Sequence, residues 1–252
     1  EQALTLSAND GEKKVHAKVI DSASTEIEAD VKSVKIDTVK PVVSLEASKT
    51  LISAVDGYNS SELTMSGTDA YSGVKSYTLK VGETTLSSGN DSVPTSYTLM
   101  HSSLVEGDNT IILTVTDIAG NVDSKSVVVE LDLTKPVISI PQLNVWYKEQ
   151  FGTTLNYTEK NSIAEVYVWT NSTATHTEVP QGATNITALA SPVAIDAESI
   201  KWGLIQSSEN YLHVKVMDEV GNVSYLHEQF GFDNVVPTGT IKFEKTAYGN
   251  TS

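Results

Sequence analysis

The chain has 252 residues, a formal net charge of −15 and no cysteine. Disulfide bonds therefore cannot stabilise it. All 17 basic residues are lysine, against 32 acidic residues, so the chain lacks the clustered basic surface that nucleic-acid binding requires. No stretch is long and apolar enough to cross a bilayer. The sequence predicts neither a nucleic-acid partner nor membrane insertion of this segment.

Three segments of the chain align without gaps, and each ends on an aspartate: 15–21, 111–117 and 212–218. Apolar and polar residues alternate in each segment with a period of two, which is typical of a strand with one face on a core. The residues predicted to point inward are Val15, Ala17 and Val19 in the first segment, Ile111, Leu113 and Val115 in the second, and Leu212, Val214 and Val216 in the third.

The residues after each aspartate predict a turn. In the second and third segments Gly120 and Gly221 follow three residues after the aspartate, and this indicates a tight hairpin with a glycine at positive φ. The first segment continues as Asp21-Ser-Ala-Ser-Thr25 and lacks the glycine. We therefore expect a longer or differently shaped loop in the first copy.

A further strand then leads to a second aspartate, which lies 16, 15 and 15 residues after the first, at Asp37, Asp132 and Asp233. A proline follows four residues later each time, and successive prolines are 95 and 101 residues apart. Because proline cannot donate a hydrogen bond to a strand ladder, it suits a domain junction or the start of an edge strand. The spacing is that of one β-sandwich per interval.

The predicted fold class is therefore all-β, with tandem immunoglobulin-like β-sandwich domains in a rod-like array. The four predicted domains are the last hairpin of a partial domain (1–37), a complete sandwich (38–132), a second sandwich with longer loops (133–233) and the start of a further domain (234–252). In the first complete sandwich we predict strands at 41–47, 61–67, 74–81, 84–87, 95–100, 110–116 and 126–131. A further strand is expected over 239–244.

The segment Thr-Asp-Ile-Ala-Gly-Asn at 116–121, followed by a strand that ends in Leu-Asp-Leu-Thr-Lys-Pro at 131–136, resembles the bacterial Ig-like tandem repeats of large surface adhesins. Similar modules occur in phage virion proteins and as accessory domains of secreted polysaccharide-degrading enzymes. The resemblance covers the whole chain and implies an extracellular protein whose repeats pack against neighbouring repeats of the same chain. In some of these adhesins, calcium ions lie at the junctions between repeats.

The resemblance leaves three functions open. The first is a structural and adhesive segment of a bacterial cell-surface protein, a stiff stalk whose surface offers contacts to host or cell-surface proteins or glycans. The second is a virion protein of a tail, a fibre or a capsid decoration. The third is a carbohydrate-binding accessory region of a secreted enzyme. The sequence has no Gly-x-Ser-x-Gly motif, phosphate-binding glycine loop or cysteine nucleophile, so we expect no catalytic residues, no enzymatic activity and no required cofactor.

Acidic residues are predicted to gather at one pole of the 38–132 sandwich, where the entering chain and two inter-strand loops meet. The set is Asp37, Asp69, Asp117 and Asn121. Carboxylate, amide and main-chain oxygens suit a hard cation such as Ca²⁺, which takes about six to eight oxygen ligands. The alternative is that each aspartate caps its own turn. A weaker structural calcium site is predicted at the next junction, where Lys160 intrudes, from Asp132, Glu159, Asp218 and Asn222.

All three tryptophans fall in the 133–233 sandwich. Aligning the strand at 161–168 with that at 72–79 turns Val166 and Val168 inward and leaves Tyr167 and Trp169 on the outer face. Exposed neighbouring aromatic rings there would be candidates for contact with a sugar or a protein, although a one-residue bulge would reverse the assignment. Trp146 and Trp202 are expected in the core or at a domain junction.

Two further expectations concern the outer surface. His16 and His213 occupy equivalent outward positions of their strands, and both are predicted to be solvated. The stretch 181–205 is longer and less patterned than its counterpart in the preceding sandwich, and it predicts a loop or a short helix around 196–201. Inserted segments of this kind are where sandwich domains usually carry function.

Overall fold

The structure is a computed structural model, and it describes residues 5–143, 146–149, 151–196 and 205–242. The chain divides into two units, Glu1–Leu133 and Thr134–Ser252. In the described ranges the regular structure is β-strand apart from a single 3-10 turn at His101–Ser103. The predicted all-β class of Ig-like sandwiches is confirmed. No helix within these ranges has the length and apolar character needed to cross a membrane.

Twelve strands lie in the described part of the first unit. They are β1 (Gly11–Val15), β2 (Lys18–Ile20), β3 (Glu26–Glu28), β4 (Lys32–Ile36), β5 (Val42–Ala47), β6 (Leu51–Ile52), β7 (Ser60–Thr68), β8 (Val74–Val81), β9 (Thr84–Asn90), β10 (Ser96–Met100), β11 (Gly107–Asp117) and β12 (Val122–Leu131). Strands β5 to β12 form two sheets with the orders β10-β7-β5 and β6-β12-β11-β8-β9. All seven strands predicted over 38–132 are present, and the short β6 is an addition.

The second unit repeats this strand order. Its described strands are β13 (Val137–Ser139), β14 (Trp146–Tyr147), β15 (Thr153–Thr158), β16 (Ile163–Asn171), β17 (Thr184–Asn185), β18 (Val193–Ile195), β19 (Ser207–Asp218) and β20 (Val223–Phe232). They form sheets with the orders β13-β15-β18 and β14-β20-β19-β16-β17. Each five-stranded sheet carries a short parallel edge strand, β6 beside β12 and β14 beside β20. The sequence repeat is therefore a repeat of topology.

The cores of the two sandwiches consist of the alternating residues that the sequence pattern marked as inward. Ile111, Leu113 and Val115 of β11 are fully buried, as are Leu212, Val214 and Val216 of β19. Residues from the facing three-stranded sheets, such as Leu63 and Leu155, are equally buried. Strict alternation thus places one face of each strand between two sheets, where burial of apolar area stabilises the fold.

The inward residues predicted in the first copy of the repeat are not buried, and that prediction was wrong. The segment 15–21 is divided between β1 and β2, and Val19 is 67% exposed. Strand β1 pairs with β4 and β2 pairs with β3, both antiparallel. Within the described residues 5–37 the strands form only these two ribbons, and Val19, Ile20 and Ile27 are 67%, 58% and 67% exposed on them.

A single type of turn closes all three repeated hairpins. In each copy the amide of the aspartate donates to the carbonyl four residues on, at 3.0, 3.0 and 3.1 Å for Asp21, Asp117 and Asp218. The residue three after the aspartate has a left-handed conformation, with φ values of 66°, 100° and 84° for Ser24, Gly120 and Gly221. The different loop expected for the first copy is therefore not observed, because Ser24 adopts the φ for which the other copies use glycine.

Gly67 of β7 marks the tightest approach of a backbone to the first core. A Cβ atom at this position would lie 2.6 Å from Val93 Cγ2 and 2.9 Å from Val115 Cγ2. Both neighbours are β-branched and stiff at χ1, and Val115 is fully buried. Neither side chain can therefore move aside to make room for a Cβ atom. The site requires a residue without a side chain.

We expect Gly67→Ala to lower the free energy of unfolding of the first sandwich by about 1–3 kcal/mol, the usual cost of overpacking a core. Urea unfolding followed by far-UV circular dichroism measures this loss. Ser66→Ala, on the exposed side of the same strand, is the control and should change stability by less than about 0.5 kcal/mol. Equal unfolding midpoints for the two variants would contradict the close packing at Gly67.

Several predicted elements fall partly or wholly outside the described residues. Strands β17 and β18 lie within the 181–205 stretch, whereas the loop or helix expected at 196–201 is described only at residue 196. Trp202 also lies outside the described residues. The strand expected over 239–244 is described only at 239–242, and those residues are not in a strand.

Candidate functional site

The three aspartates predicted at the pole of the first complete sandwich come together. Asp37 follows β4, Asp69 follows β7 and Asp117 ends β11. One carboxylate oxygen from each lies within 4.8 Å of the others. Asp37 Oδ2 accepts a hydrogen bond from the Ser72 amide at 3.1 Å, which ties the chain entering the sandwich to the loop between β7 and β8.

Asp69 offers one oxygen that is free for a ligand. Its Oδ1 accepts hydrogen bonds from the amides of Tyr71, Ser72 and Gly73 at 3.1, 2.8 and 2.8 Å. Its Oδ2 is buried and has no hydrogen-bond partner. Burial opposes ionisation of this carboxyl group, but the amides of Gly73, Ser72 and Tyr71 outweigh burial and hold its pKa below the usual value. The group is therefore an anion at neutral pH with one unpartnered oxygen.

Asp117 is fully buried and closes its own turn. Its Oδ1 accepts from the amides of Gly120 and Asn121 at 2.6 and 2.8 Å, and its Oδ2 accepts from Asn121 Nδ2 at 2.7 Å. The same nitrogen lies 3.2 Å from the carbonyl oxygens of Asp37 and Val39. Asn121 thus presents its nitrogen to the cluster, so in this arrangement it links the turn to the junction and does not offer an oxygen ligand.

The two interpretations of these aspartates, turn capping and cation binding, are compatible in one geometry. Turn amides donate to one oxygen of Asp69 and to one oxygen of Asp117. Asp117 Oδ2 and the carbonyl oxygens of Asp37 and Val39 meet the Asn121 side-chain nitrogen, and one carboxylate oxygen of each aspartate lies within 4.8 Å of the others. An all-oxygen donor set with three carboxylates suits a hard cation such as Ca²⁺. The unpartnered Asp69 Oδ2 is the observation that fits an ion, because a buried anionic oxygen without a partner is costly.

The residues of the second, weaker predicted calcium site are divided between the two units. Asp132 belongs to the first unit, where it is 1% exposed and its amide donates to Ile52 O at 2.9 Å. Glu159 and Asp218 belong to the second unit, and they bring carboxylate oxygens within 4.8 Å of each other. Asp218 closes its turn through the amides of Val220 and Asn222. Glu159 Oε1 accepts from the Lys160 amide, and Oε2 is buried without a partner, as in Asp69.

The register predicted for the third strand of the second sandwich is observed. Val166 and Val168 are fully buried, and Tyr167 and Trp169 lie on the opposite face of β16, beside Lys215 and His213 of β19. A register shift does occur, but it lies between Ile163 and Glu165, before the aromatic residues. The faces therefore follow the sequence alignment.

The exposed aromatic platform predicted on this face is not formed, because Trp169 is only 3% exposed. Its indole stacks on the His213 ring, with centroids 5.3 Å apart, and meets the His176 ring edge-on at 6.2 Å. Tyr167 remains half-buried beside Lys215 Nζ. Trp146, expected in the core or at a junction, is 53% exposed in β14.

His213 was predicted to be solvated, and the structure contradicts this, since the residue is fully buried. It lies between Trp169 of β16 and His227 of β20 in a row of paired residues across three strands. The sequence holds a weak signal of this cluster: Trp169, His213 and His227 all have outward parity in their strands. Only the register between strands shows that the three residues are neighbours.

Comparison with known proteins adds only distant likenesses. No family model and no curated protein sequence matches the chain. A solved structure of a 1.5-MDa bacterial ice-binding adhesin is similar over 81% of this chain and 68% of its own, with 16% identity and a TM-score of 0.44. The Ca²⁺-stabilized ice-binding adhesin of an Antarctic bacterium is similar over 88% of this chain, with 12% identity and a TM-score of 0.39. The match spans 57% of that solved chain.

The fibronectin(III)-like modules of Clostridium thermocellum CbhA are similar over 79% of this chain and all of theirs, with 11% identity and a TM-score of 0.34. Likenesses at these identities and scores assign neither a ligand nor a partner to this chain. The case for its function therefore depends on its own repeat and its own carboxylates.

Proposed function

We propose that this chain is a non-catalytic segment of tandem Ig-like repeats in an extracellular bacterial surface protein, where it acts as a stalk that carries adhesive contacts. The observation that carries the proposal is the repetition of one strand order, one aspartate-closed turn and one short junction along the chain. Repeats of this kind serve as spacers because each stacked module adds length without changing the chemistry of the surface. The working location would be the cell surface.

The proposal includes a calcium ion at the junction that precedes the first complete sandwich. Asp37, Asp69 and Asp117 would hold it, because they are the residues that bring three carboxylates together within the first unit. An ion there would neutralise their mutual repulsion and occupy the free oxygen of Asp69. It would also join the chain that enters the sandwich to two loops of the sandwich, which is the mechanical task of a stalk junction.

Calorimetric titration of the chelator-treated full chain with CaCl₂ tests the ion. We expect the titration to release or absorb heat of binding. We also expect the unfolding temperature of the first sandwich to rise, because calcium at about 100 times its dissociation constant adds about 2.7 kcal/mol to the free energy of unfolding. Asp69→Asn removes the negative charge but keeps an oxygen for the turn amides, so the number of sites should fall by one per chain.

Asp56→Asn is the matched control, because Asp56 is an exposed aspartate in a loop of the same unit. It should leave the number of calcium sites unchanged. An unfolding temperature that does not respond to millimolar calcium or to chelator would contradict the metal proposal, and the stalk would then be stabilised by packing alone. The domains that flank this chain in the parent protein would distinguish the two functions. A cell-wall or membrane anchor would support a cell-surface stalk, and capsid or tail domains would support a virion protein.

A further inference from the structure

The second sandwich contains a hydrogen-bonded pair of histidines, one fully buried and one half-buried, on the outer face of its five-stranded sheet. His213 Nδ1 lies 2.7 Å from His227 Nδ1, and the two residues face each other across β19 and β20. On its other side, His213 Nε2 lies 2.8 Å from Asn171 Oδ1. His213 is fully buried between the Trp169 indole and the His227 ring. Both nitrogens of His213 are thus held in short hydrogen bonds.

The hydrogen bonds fix which nitrogens carry protons. Asn171 Oδ1 also accepts from the Thr173 amide at 2.8 Å, so this atom is the side-chain oxygen and His213 Nε2 must donate to it. A neutral imidazole has one donor and one acceptor nitrogen, so His213 Nδ1 is the acceptor. His227 Nδ1 is therefore the donor in the contact of 2.7 Å. The network is satisfied when both rings are uncharged.

Protonation disturbs this arrangement. A proton added to His213 Nδ1 would face the N–H of His227, and the pair could keep its hydrogen bond only if His227 moved its own proton to Nε2. A second added proton would place two N–H donors against each other at the same contact, which no tautomer can relieve. The pair therefore accepts at most one extra proton without losing this hydrogen bond.

Other titratable and charged groups face the pair. His176, from the segment between β16 and β17, packs against His213 with ring centroids 6.1 Å apart, and its Nδ1 is buried without a partner. On the next row of the same face, Lys215 forms an ion pair of 2.8 Å with Glu165. Tyr211 and Tyr225 flank the histidines with ring centroids 6.3 and 6.2 Å away.

These surroundings lower the affinity of both rings for protons. Burial first, then the neighbouring His227 and His176, lower the pKa of His213 from 6.5 to about 4. Burial and His176 also lower the pKa of His227. In the unfolded chain both groups titrate near the ordinary histidine value of about 6.5, so below that pH the unfolded state binds more protons than the folded state.

We infer that the His176–His213–His227 cluster makes the second sandwich an acid-sensitive element, which is fully stable with uncharged rings and loosens in mildly acidic surroundings. The sign follows from linkage: stability rises with pH wherever the unfolded state holds more protons. Above about pH 6.5 the histidine pair makes its full contribution to the free energy of unfolding. This contribution decreases as the pH falls toward the pKa of His213, about 4. The first sandwich contains no equivalent row of histidines among its described residues.

Tryptophan fluorescence of the full chain tests this inference, because all three tryptophans lie beyond residue 133 and the signal reports on the second unit. Urea unfolding is measured at pH 7 and pH 5 in EDTA, so that bound calcium does not contribute. The lowered pKa of His213 predicts that the unfolding equilibrium constant rises about twentyfold between these pH values, with a further rise from His227.

The double variant His213→Phe/His227→Phe keeps aromatic rings on the Trp169 stack and removes both members of the hydrogen bond, a change that can be nearly neutral for stability. It should lose most of the difference between pH 7 and pH 5. His16→Gln, at an exposed position, should keep the wild-type difference. An unchanged pH difference in the double variant would overturn the inference.

A second measurement on the wild-type chain covers the case in which the double variant fails to fold. Carbon-13 NMR of labelled histidine rings follows each histidine through a titration from pH 7.5 to pH 4.5. We expect the His213 signals to stay those of neutral imidazole at pH 5, because its pKa is lowered to about 4, and we expect the His227 signals to begin titrating below the ordinary histidine value of about 6.5. Titration of His213 near pH 6.5, with the second sandwich still folded, would overturn the inference directly.

Discussion

Replacing Phe230 with alanine is expected to lower the free energy of unfolding of the second sandwich by about 3–5 kcal/mol. Phe230 is 1% exposed on the inward side of β20. Its ring meets Phe151 and Tyr147 edge-on, with centroids 5.0 and 6.2 Å away. Alanine would remove a large buried side chain and leave a cavity that these two rings, already stacked on each other at 3.7 Å, can fill only in part.

Urea unfolding followed by tryptophan fluorescence measures the loss, since the signal comes from the second unit alone. Gln229→Ala is the matched control on the exposed side of the same strand. Gln229 donates one side-chain hydrogen bond, to Ser208 O at 3.0 Å, so its replacement should cost about 1 kcal/mol or less. A loss below about 1 kcal/mol for Phe230→Ala would show that the aromatic cluster is not part of the core.

The second large effect is expected at the turn that recurs in each repeat. Asp117→Ala should lower the free energy of unfolding of the first sandwich by about 2–4 kcal/mol, because a hydrogen bond to a charged group contributes about 1.5–3 kcal/mol and alanine removes several of them. The Asp117 carboxylate accepts from two turn amides and one side-chain nitrogen. Calorimetric unfolding in EDTA measures the loss without a contribution from a bound ion.

Two further variants show whether the turn is the cause of this loss. Asp117→Asn keeps one acceptor oxygen, so it should restore part of the stability that alanine removes. Asp108→Ala replaces an exposed aspartate of the same strand and should stay within about 0.5 kcal/mol of wild type. If Asp117→Ala and Asp108→Ala had equal effects, the hydrogen bonds of the carboxylate would contribute nothing to folding.

The turn aspartates connect folding with the proposed function. Oδ1 of Asp117 closes the hairpin, and one carboxylate oxygen of the same residue lies within 4.8 Å of carboxylate oxygens of Asp37 and Asp69. One residue can therefore both close a strand pair and add charge to a carboxylate cluster. Asp69 also combines two roles, because its Oδ1 accepts hydrogen bonds from three turn amides and its Oδ2 has no hydrogen-bond partner.

The sequence by itself determined seven strands of the first complete sandwich, the inward faces of the central strands of both sandwiches and the position of the turns. Alternation with a period of two is a local property, so it can be read without knowing which strands pair. The gathering of Asp37, Asp69 and Asp117 also followed from order alone, because the topology of a sandwich dictates which loops share a pole. Their role as calcium ligands remains a prediction.

Only the tertiary structure decided which side chains cover the outer face of the five-stranded sheet in the second sandwich. Trp169 lies on the outer face, as its parity required, yet His176 and His213 cover it, and His213 is distant in sequence. The burial of His213 depends on the register of β16, β19 and β20, and register is set by long-range pairing. The turn at Asp21 shows the same limit: Ser24 accepts a left-handed φ because the hydrogen bonds of the hairpin require it. The repeats along the chain are therefore a property of local pattern, and the chemistry of their surfaces is a property of pairing across strands.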